Sequence, residues 1–126
     1  MKLTTLTSLP ARRVALAVWV VLLLVGSMLP TRVVGPAMPH IPHFDKLLHI
    51  GGYAIFCVLA VWALPGRHLL WLAAGVFAFG VMIEFIQPLT GRSRDVTDAL
   101  ANGVGVAAGL LLVWLLWKPR GRRSPR

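Results

Sequence analysis

Four long apolar stretches, separated by short polar segments, set the pattern of hydrophobic and polar positions along this chain. They predict helices at about residues 14–29, 46–64, 69–87 and 96–117. A helix that crosses a membrane needs about 20 mainly apolar residues. The first stretch has sixteen uncharged residues and is slightly short for this purpose, since an α-helix rises ~1.5 Å per residue. The predicted fold class is all-α: a polytopic membrane bundle of four transmembrane helices.

The composition favours a membrane protein over a soluble domain. Of the 126 residues, 57% are apolar and 13% are charged, whereas a soluble domain carries about 25% charged residues. We predict one transmembrane domain at residues 14–117, between a basic flank at 1–13 and a basic tail at 118–126. The flank and first stretch also resemble a signal peptide, but the following GSMLPTR contains no clear cleavage site. We therefore expect the first helix to be retained.

The distribution of basic residues predicts the orientation in the membrane. With four helices, both termini lie on one side, and that side would carry nine of the 13 basic residues and none of the acidic ones. Cytoplasmic loops carry an excess of Lys and Arg, so both termini are predicted to be cytoplasmic. The net charge of +9 is explained by this asymmetry, and we expect no nucleic-acid partner.

Prolines and acidic residues mark the predicted helix ends. Four prolines at residues 30–44 predict an extended loop. Asp45 is a plausible N-cap of the second helix, and Pro88 ends the third. Asp95 and Asp98 open the fourth helix, where acidic groups suit the positive end of the helix dipole. All four acidic residues of the chain therefore fall on the membrane face opposite the termini.

Polar residues at helical spacing mark a candidate site on that face. Asp45 and His49 share one face of the second helix with Tyr53, and Asp98 shares a face of the fourth with Asn102. A GxxxG pair, Gly105 and Gly109, continues near that face and predicts close packing against another helix. Cys57 lies in an apolar run and is expected to pack as a small hydrophobic residue.

Glu84 is the hardest of these residues to explain by structure alone. A carboxylate inside a span costs ~2.5–3.5 kcal/mol even on lenient insertion scales. We expect Glu84 to pair with Arg92, Arg94 or His49, or to stay protonated.

The other polar residues keep structural alternatives open. Asp95 and Asp98 could serve only as helix caps, and Asn102 could hydrogen-bond a neighbouring helix. The segment His40, His43, Asp45 and His49 offers metal ligands, but a proline-rich loop does not impose a ligand geometry. We predict no metal site and no cofactor.

Two blocks of sequence, DKLLHIGGY at residues 45–53 and IEFIQPLTGRSRDVTDALANGVG at residues 83–105, resemble the VanZ-like family. The family pattern corresponds here to Asp45, Lys46, His49, Glu84, Gln87, Gly91, Arg92, Asp95, Asp98 and Asn102. The resemblance implies a small multi-pass protein of the bacterial cytoplasmic (inner) membrane. It also implies a link to resistance against glycopeptide antibiotics such as teicoplanin, which act on lipid-linked cell-wall precursors outside the membrane.

The leading functional hypothesis is a site that binds or modulates a cell-envelope lipid or amphiphile. Its predicted binding residues are Asp45, Lys46, His49, Glu84, Gln87, Arg92, Asp95, Asp98 and Asn102. Arg92 would hold an anionic group, and the expected partners are membrane lipids, including a lipid-linked cell-wall precursor. The sequence leaves open whether the protein is an enzyme. As an enzyme it would carry out phosphoryl or acyl chemistry on a lipid-linked substrate, with Glu84, His49 and Asp98 as candidate catalytic residues.

Two further alternatives stay open at the level of sequence. One is a non-catalytic structural or assembly subunit. The other is a proton-coupled transporter, which would need a homo-oligomer because four short spans enclose little room.

Overall fold

Four long helices form the protein. The computed structural model describes residues 8–117, so the predicted tail at 118–126 and residues 1–7 of the predicted flank lie outside the described residues. The long helices are α1 (Leu9–Met28), α2 (Phe44–Ala63), α3 (Leu69–Ile86) and α4 (Val96–Leu116). Each is long and apolar enough to cross a membrane, and no strand occurs between residues 8 and 117. The predicted all-α bundle of four spans is confirmed, while the orientation of the termini stays a prediction.

Helix α1 begins at Leu9, before the predicted start at residue 14. Ser8 is its N-cap, and the Ser8 hydroxyl oxygen accepts a hydrogen bond from the Ala11 N–H at 3.4 Å. Pro10 lies in the first turn, where its missing N–H is not needed. Because this cap precedes the apolar run, Arg12 and Arg13 lie within the helix.

The connection between α1 and α2 is helical over part of its length. It contains a short helix, Thr31–Val34, and a 3-10 turn, Gly35–Ala37, so the prediction of an extended loop is wrong for these residues. Pro30 is the N-cap of the short helix and Pro36 lies at the start of the 3-10 turn. Proline is tolerated at such positions because the first N–H groups of a helix have no intrahelical acceptor.

The predicted N-cap of α2 is also wrong. The cap is His43, whose backbone adopts the left-handed conformation with φ 57°. Asp45 lies in the first turn of α2 instead, where its carboxylate still suits the positive end of the helix.

Helices α2, α3 and α4 pack together as the core, and α4 has its most extensive contact with α2. Gly109 makes this contact close: a Cβ there would stand 2.7 Å from the carbonyl oxygen of Ala54 and 2.7 Å from the Cβ of Cys57. Gly105 faces the Ile50 carbonyl in the same way. The predicted packing role of the GxxxG pair is confirmed, and so is the burial of Cys57 as a small apolar residue.

Helix α1 lies outside this core. None of its residues is buried, and it packs mainly against α2. Hydrogen bonds hold it there: the indole N–H of Trp19 donates to the carbonyl oxygen of Gly52 at 3.0 Å. Helix α1 is therefore weakly attached to the core, and the polar site lies next to it.

Candidate functional site

The polar residues collect at one end of the bundle, where α2 and α4 begin and α3 ends. Asp95 caps α4, as predicted: its Oδ1 accepts from the backbone N–H of Thr97 at 2.8 Å and from the Thr97 hydroxyl at 2.6 Å. This cap places the first turn of α4, with Asp98, directly beside the first turn of α2.

Lys46 joins these two helix starts. Its ammonium group lies 3.0 Å from Asp45 Oδ2 and 2.7 Å from Asp95 Oδ2, and it also bonds Oδ1 of Asp98. The ammonium group of Lys46 holds the pKa of Asp95 well below its usual range, and the Thr97 hydroxyl contributes. One cation thus serves three carboxylates, which leaves the cluster rich in negative charge.

His49 lies one turn deeper on α2. Its Nδ1 is 2.8 Å from Oδ1 of Asn102, and its Nε2 is 3.4 Å from Oδ2 of Asp98. The Asn102 oxygen only accepts hydrogen bonds, so Nδ1 carries a proton and donates it. Asn102 is fully buried, and it sets the orientation of the imidazole ring.

Glu84 completes the deep part of the cluster from α3. One ligand atom each of His49, Glu84 and Asp98 lie within 4.8 Å of one another. Glu84 is 4% exposed, yet neither of its carboxylate oxygens has a hydrogen-bond partner among the described residues. The Tyr53 hydroxyl is likewise buried without a partner in this part of the chain. Several buried polar atoms here are therefore available to something other than the protein itself.

Arg92 and Arg94, the two arginines predicted to pair with Glu84, contact other residues. Arg92 Nη1 donates to the carbonyl oxygen of Ser27 at 3.2 Å, and Arg94 lies over the ring of Phe85 at 4.0 Å. The expected ion pair between Glu84 and either arginine does not form in the described structure.

Gln87 also serves α1, because its amide nitrogen donates to the same Ser27 oxygen at 3.2 Å. Its contact binds the last turn of α1 to the 3-10 turn that follows α3. Ser27 acts through its backbone, so no side-chain signal in the sequence could have identified it. Trp19 was missed as well, since one tryptophan in an apolar run gives no indication of its acceptor.

A cavity of about 520 Å³ lies along the seam between α1 and α2. Its wall is mainly apolar and includes Trp19, Leu23 and Ile55. Asp45, His49 and Arg92 line it as well, and they belong to the polar end of the bundle. His49 therefore belongs both to the cavity wall and to the buried cluster.

The structure brings together seven of the nine predicted binding residues. These are Asp45, Lys46, His49, Glu84, Asp98, Asn102 and Asp95. Gln87 and Arg92 contact the end of α1 instead, although Arg92 also lines the cavity.

Comparison with protein families assigns the chain. The family model described as VanZ/LLP1 matches residues 5–117, which is nearly the whole chain. The chain belongs to the VanZ/LLP1 family. No curated protein and no solved structure matches it. Family membership and the four apolar helices together make this a VanZ-like multi-pass membrane protein.

Proposed function

We propose that this protein binds a membrane lipid with a phosphate or diphosphate headgroup. The observation that carries the proposal is the cavity between α1 and α2, which is apolar along its length and reaches Arg92 and His49 at its polar end. An amphiphile needs this combination, since its chain requires an apolar wall and its headgroup requires hydrogen-bond donors.

Arg92 is the proposed contact for the headgroup. One of its nitrogens donates to Ser27, and a guanidinium group has five N–H donors in all, so donors remain for an anion. Arginine matches phosphate in shape because it can donate two parallel hydrogen bonds. The ammonium group of Lys46 is already bound by three aspartates and the Nδ1–H of His49 by Asn102, so Arg92 would supply the charged contact to the headgroup.

The proposed location is the outer face of the bacterial cytoplasmic membrane. It is supported by the asymmetry of basic residues, which favours cytoplasmic termini. The lipid would then come from the outer leaflet, where lipid-linked cell-wall precursors are found. Modulation of such a precursor is also the proposed basis of any contribution to glycopeptide resistance.

Binding is tested with the purified full chain in nanodiscs that contain a polyprenyl diphosphate. We expect Arg92→Ala to weaken binding by about 10- to 100-fold, because a hydrogen bond to a charged group contributes ~1.5–3 kcal/mol. Unchanged affinity in Arg92→Ala would show that Arg92 does not bind the headgroup.

Two matched controls separate headgroup contact from damage to α1. Gln87→Ala removes the other side-chain bond to Ser27 without removing a charge, and Arg94→Ala removes a charge outside the cavity lining. Both variants should keep their affinity within about threefold, well below the loss that removal of a charged hydrogen bond produces. An equal loss in Gln87→Ala would mean that Arg92 acts only through α1.

Topology is tested by cysteine labelling in intact cells, starting from Cys57→Ser. An impermeant thiol reagent should label Ser93→Cys in the loop before α4 and miss His68→Cys in the turn before α3. Both positions are exposed in the structure. The reverse pattern would place the site in the cytoplasm and end the link to outer-leaflet precursors.

Catalysis on the same lipid is the second candidate function. It is favoured by the proximity of His49, Glu84 and Asp98, because paired acids and bases of this kind can transfer protons. Under this hypothesis Glu84→Gln abolishes turnover and leaves lipid binding intact. Turnover that survives in Glu84→Gln would exclude Glu84 as the base.

A further inference from the structure

Glu84 lacks the partner that a buried carboxylate requires. It lies inside α3 and is 4% exposed, and both of its oxygens lack hydrogen bonds within the described range, residues 8–117. The nearby cations are bound elsewhere: Lys46 by three aspartates, Arg92 by Ser27 and Arg94 by the Phe85 ring. An unpaired charge in such a place is strongly unfavourable, so Glu84 is either protonated or bound to a cation that the described residues do not supply.

His49 presents its second ring nitrogen, Nε2, to the same space. Its Nδ1–H donates to Asn102 Oδ1 at 2.8 Å, so in the neutral imidazole Nε2 carries a lone pair. This lone pair faces Oδ2 of Asp98, another acceptor, at 3.4 Å. Two acceptors at this distance need a proton or a metal ion between them. A histidine that ligates a metal nearly always donates its other N–H in this way.

The second oxygen of Asp98 faces the same space. Lys46 bonds its Oδ1, and Oδ2 points towards His49. A tetrahedral ion at ~2.1 Å from its ligands separates those ligand atoms by about 3.4 Å. The distance between His49 Nε2 and Asp98 Oδ2 already equals this value. One ring nitrogen of His49 and one carboxylate oxygen each of Glu84 and Asp98 lie within 4.8 Å of one another, so a side-chain shift of roughly 1.4 Å brings the third ligand to the ~3.4 Å separation of a tetrahedral site.

We propose that His49 Nε2, Glu84 and Asp98 Oδ2 bind one divalent transition-metal ion of the Zn²⁺ type. One imidazole and two carboxylates suit Zn²⁺ or Mn²⁺, whereas Mg²⁺ and Ca²⁺ prefer oxygen ligands alone. Asn102 orients the imidazole and Lys46 orients the Asp98 carboxylate, as supporting groups do around metal ligands. Three protein ligands leave a position open on the ion. The site stands on this geometry alone and does not depend on the proposed lipid.

The test uses the purified full chain in detergent, without a polyhistidine tag and stripped of metal by a chelator. Calorimetric titration with Zn²⁺ should show one ion per chain. We expect His49→Ala and Glu84→Gln each to weaken Zn²⁺ binding by at least about 100-fold, since each removes one of the three protein ligands of the ion. Zn²⁺ should also raise the melting temperature of the wild type and leave that of Glu84→Gln unchanged.

His43→Ala and His68→Ala are the matched controls. They remove exposed imidazoles that do not belong to the three ligands. Both should bind Zn²⁺ like the wild type. Loss of binding in His43→Ala together with unchanged binding in His49→Ala would overturn the assignment.

The wild type alone can also decide against the proposal. If His49 is instead a protonated imidazolium paired with Asp98, the folded protein takes up no stoichiometric Zn²⁺, and the metal site is excluded. This outcome does not depend on the folding of any variant. Glu84→Gln keeps the shape of the side chain, so it should fold, and size-exclusion chromatography verifies that it does.

Discussion

Helix α1 and the three-helix core are both apolar, yet they are packed in different ways. The core helices bury residues along one face each, whereas α1 buries none. Two glycines show the contrast. A Cβ at Gly109 would strike the backbone of α2, while a Cβ at Gly26 of α1 would meet nothing within 4 Å. In a membrane, apolarity alone does not draw helices together because lipid chains are equally apolar. Small residues and hydrogen bonds decide which helices pack.

This difference explains where the cavity lies. Helix α2 packs closely on α4, and Lys46 joins their shared polar end. Helix α1 is held at discrete points instead, by Trp19 near its middle and by contacts to Ser27 near its end. The space between those points is the groove that the proposed lipid would enter.

The largest expected effect is a loss of stability on overpacking the α2–α4 contact. Gly109→Val puts atoms where the Ala54 carbonyl and the Cys57 Cβ already lie 2.7 Å from the first added carbon. Overpacking of this kind costs roughly 1–3 kcal/mol, and a rigid backbone neighbour favours the upper end. Unfolding of the detergent-solubilised protein should show this cost, while Gly26→Val in α1 should change stability by less than about 0.5 kcal/mol. Equal effects of the two variants would contradict the distinction between core and α1.

The second-largest loss of stability is expected on removal of the Lys46 ammonium group at the polar end of the bundle. Lys46→Met leaves Asp98, which is 6% exposed, without its ammonium partner. Removal of one partner of a fully buried pair costs ~3–5 kcal/mol, and we expect about 2 kcal/mol here because Lys46 is partly exposed. Lys46→Arg should recover most of the loss, and Arg67→Met in the exposed turn before α3 should have no effect. If Lys46→Met does not change the stability, glycine packing alone holds α2 and α4 together.

A smaller effect is expected where α1 is attached. Trp19→Phe removes the 3.0 Å hydrogen bond to Gly52 and keeps most of the ring. A hydrogen bond between membrane helices contributes ~0.6–1.7 kcal/mol, so α1 should loosen while the core stays folded. Spin labels at the exposed positions Val21 and Ile55 should show a broader distance distribution. Trp71→Phe, at a residue that is 77% exposed, should leave that distribution unchanged.

The smallest expected effect is the pH dependence of the Asp95 contact. Lys46 lowers the pKa of Asp95 in the folded protein, so Asp95 contributes stability above its unfolded pKa of about 3.9. That contribution is lost as the pH falls below about 4 towards the lowered folded pKa. The melting temperature of the wild type should therefore be higher than that of Asp95→Asn at pH 7. This difference in melting temperature should be smaller at pH 3. Asparagine still caps a helix, so the variant isolates the charge, and a difference that does not vary with pH would contradict the expected contribution of the Asp95 charge.

Much of this architecture is predictable from the sequence, because local patterns determine it. The four spans follow from lengths of apolar sequence, and the cap at Asp95 follows from its position before an apolar run. The GxxxG pair predicted a close helix contact, and Gly105 and Gly109 make one. The start of α1 and the connection before α2 were harder to predict. Ser8 caps α1 before the apolar run begins, and prolines stand at helix starts in this protein, whereas the simpler interpretation treats each proline as a helix breaker.

The sequence by itself determined that every acidic residue would lie at the same end of a four-helix bundle, because alternating spans bring alternate loops to one face. Only the tertiary structure decided which of those residues meet. It placed His49 against Asn102 and Asp98, left Glu84 without a partner in the described structure, and used Arg92 on α1. The physical reason is that spacing along a helix sets the face of a residue but not its neighbours, which depend on how the helices pack. Those packing contacts bring the polar residues together as a site.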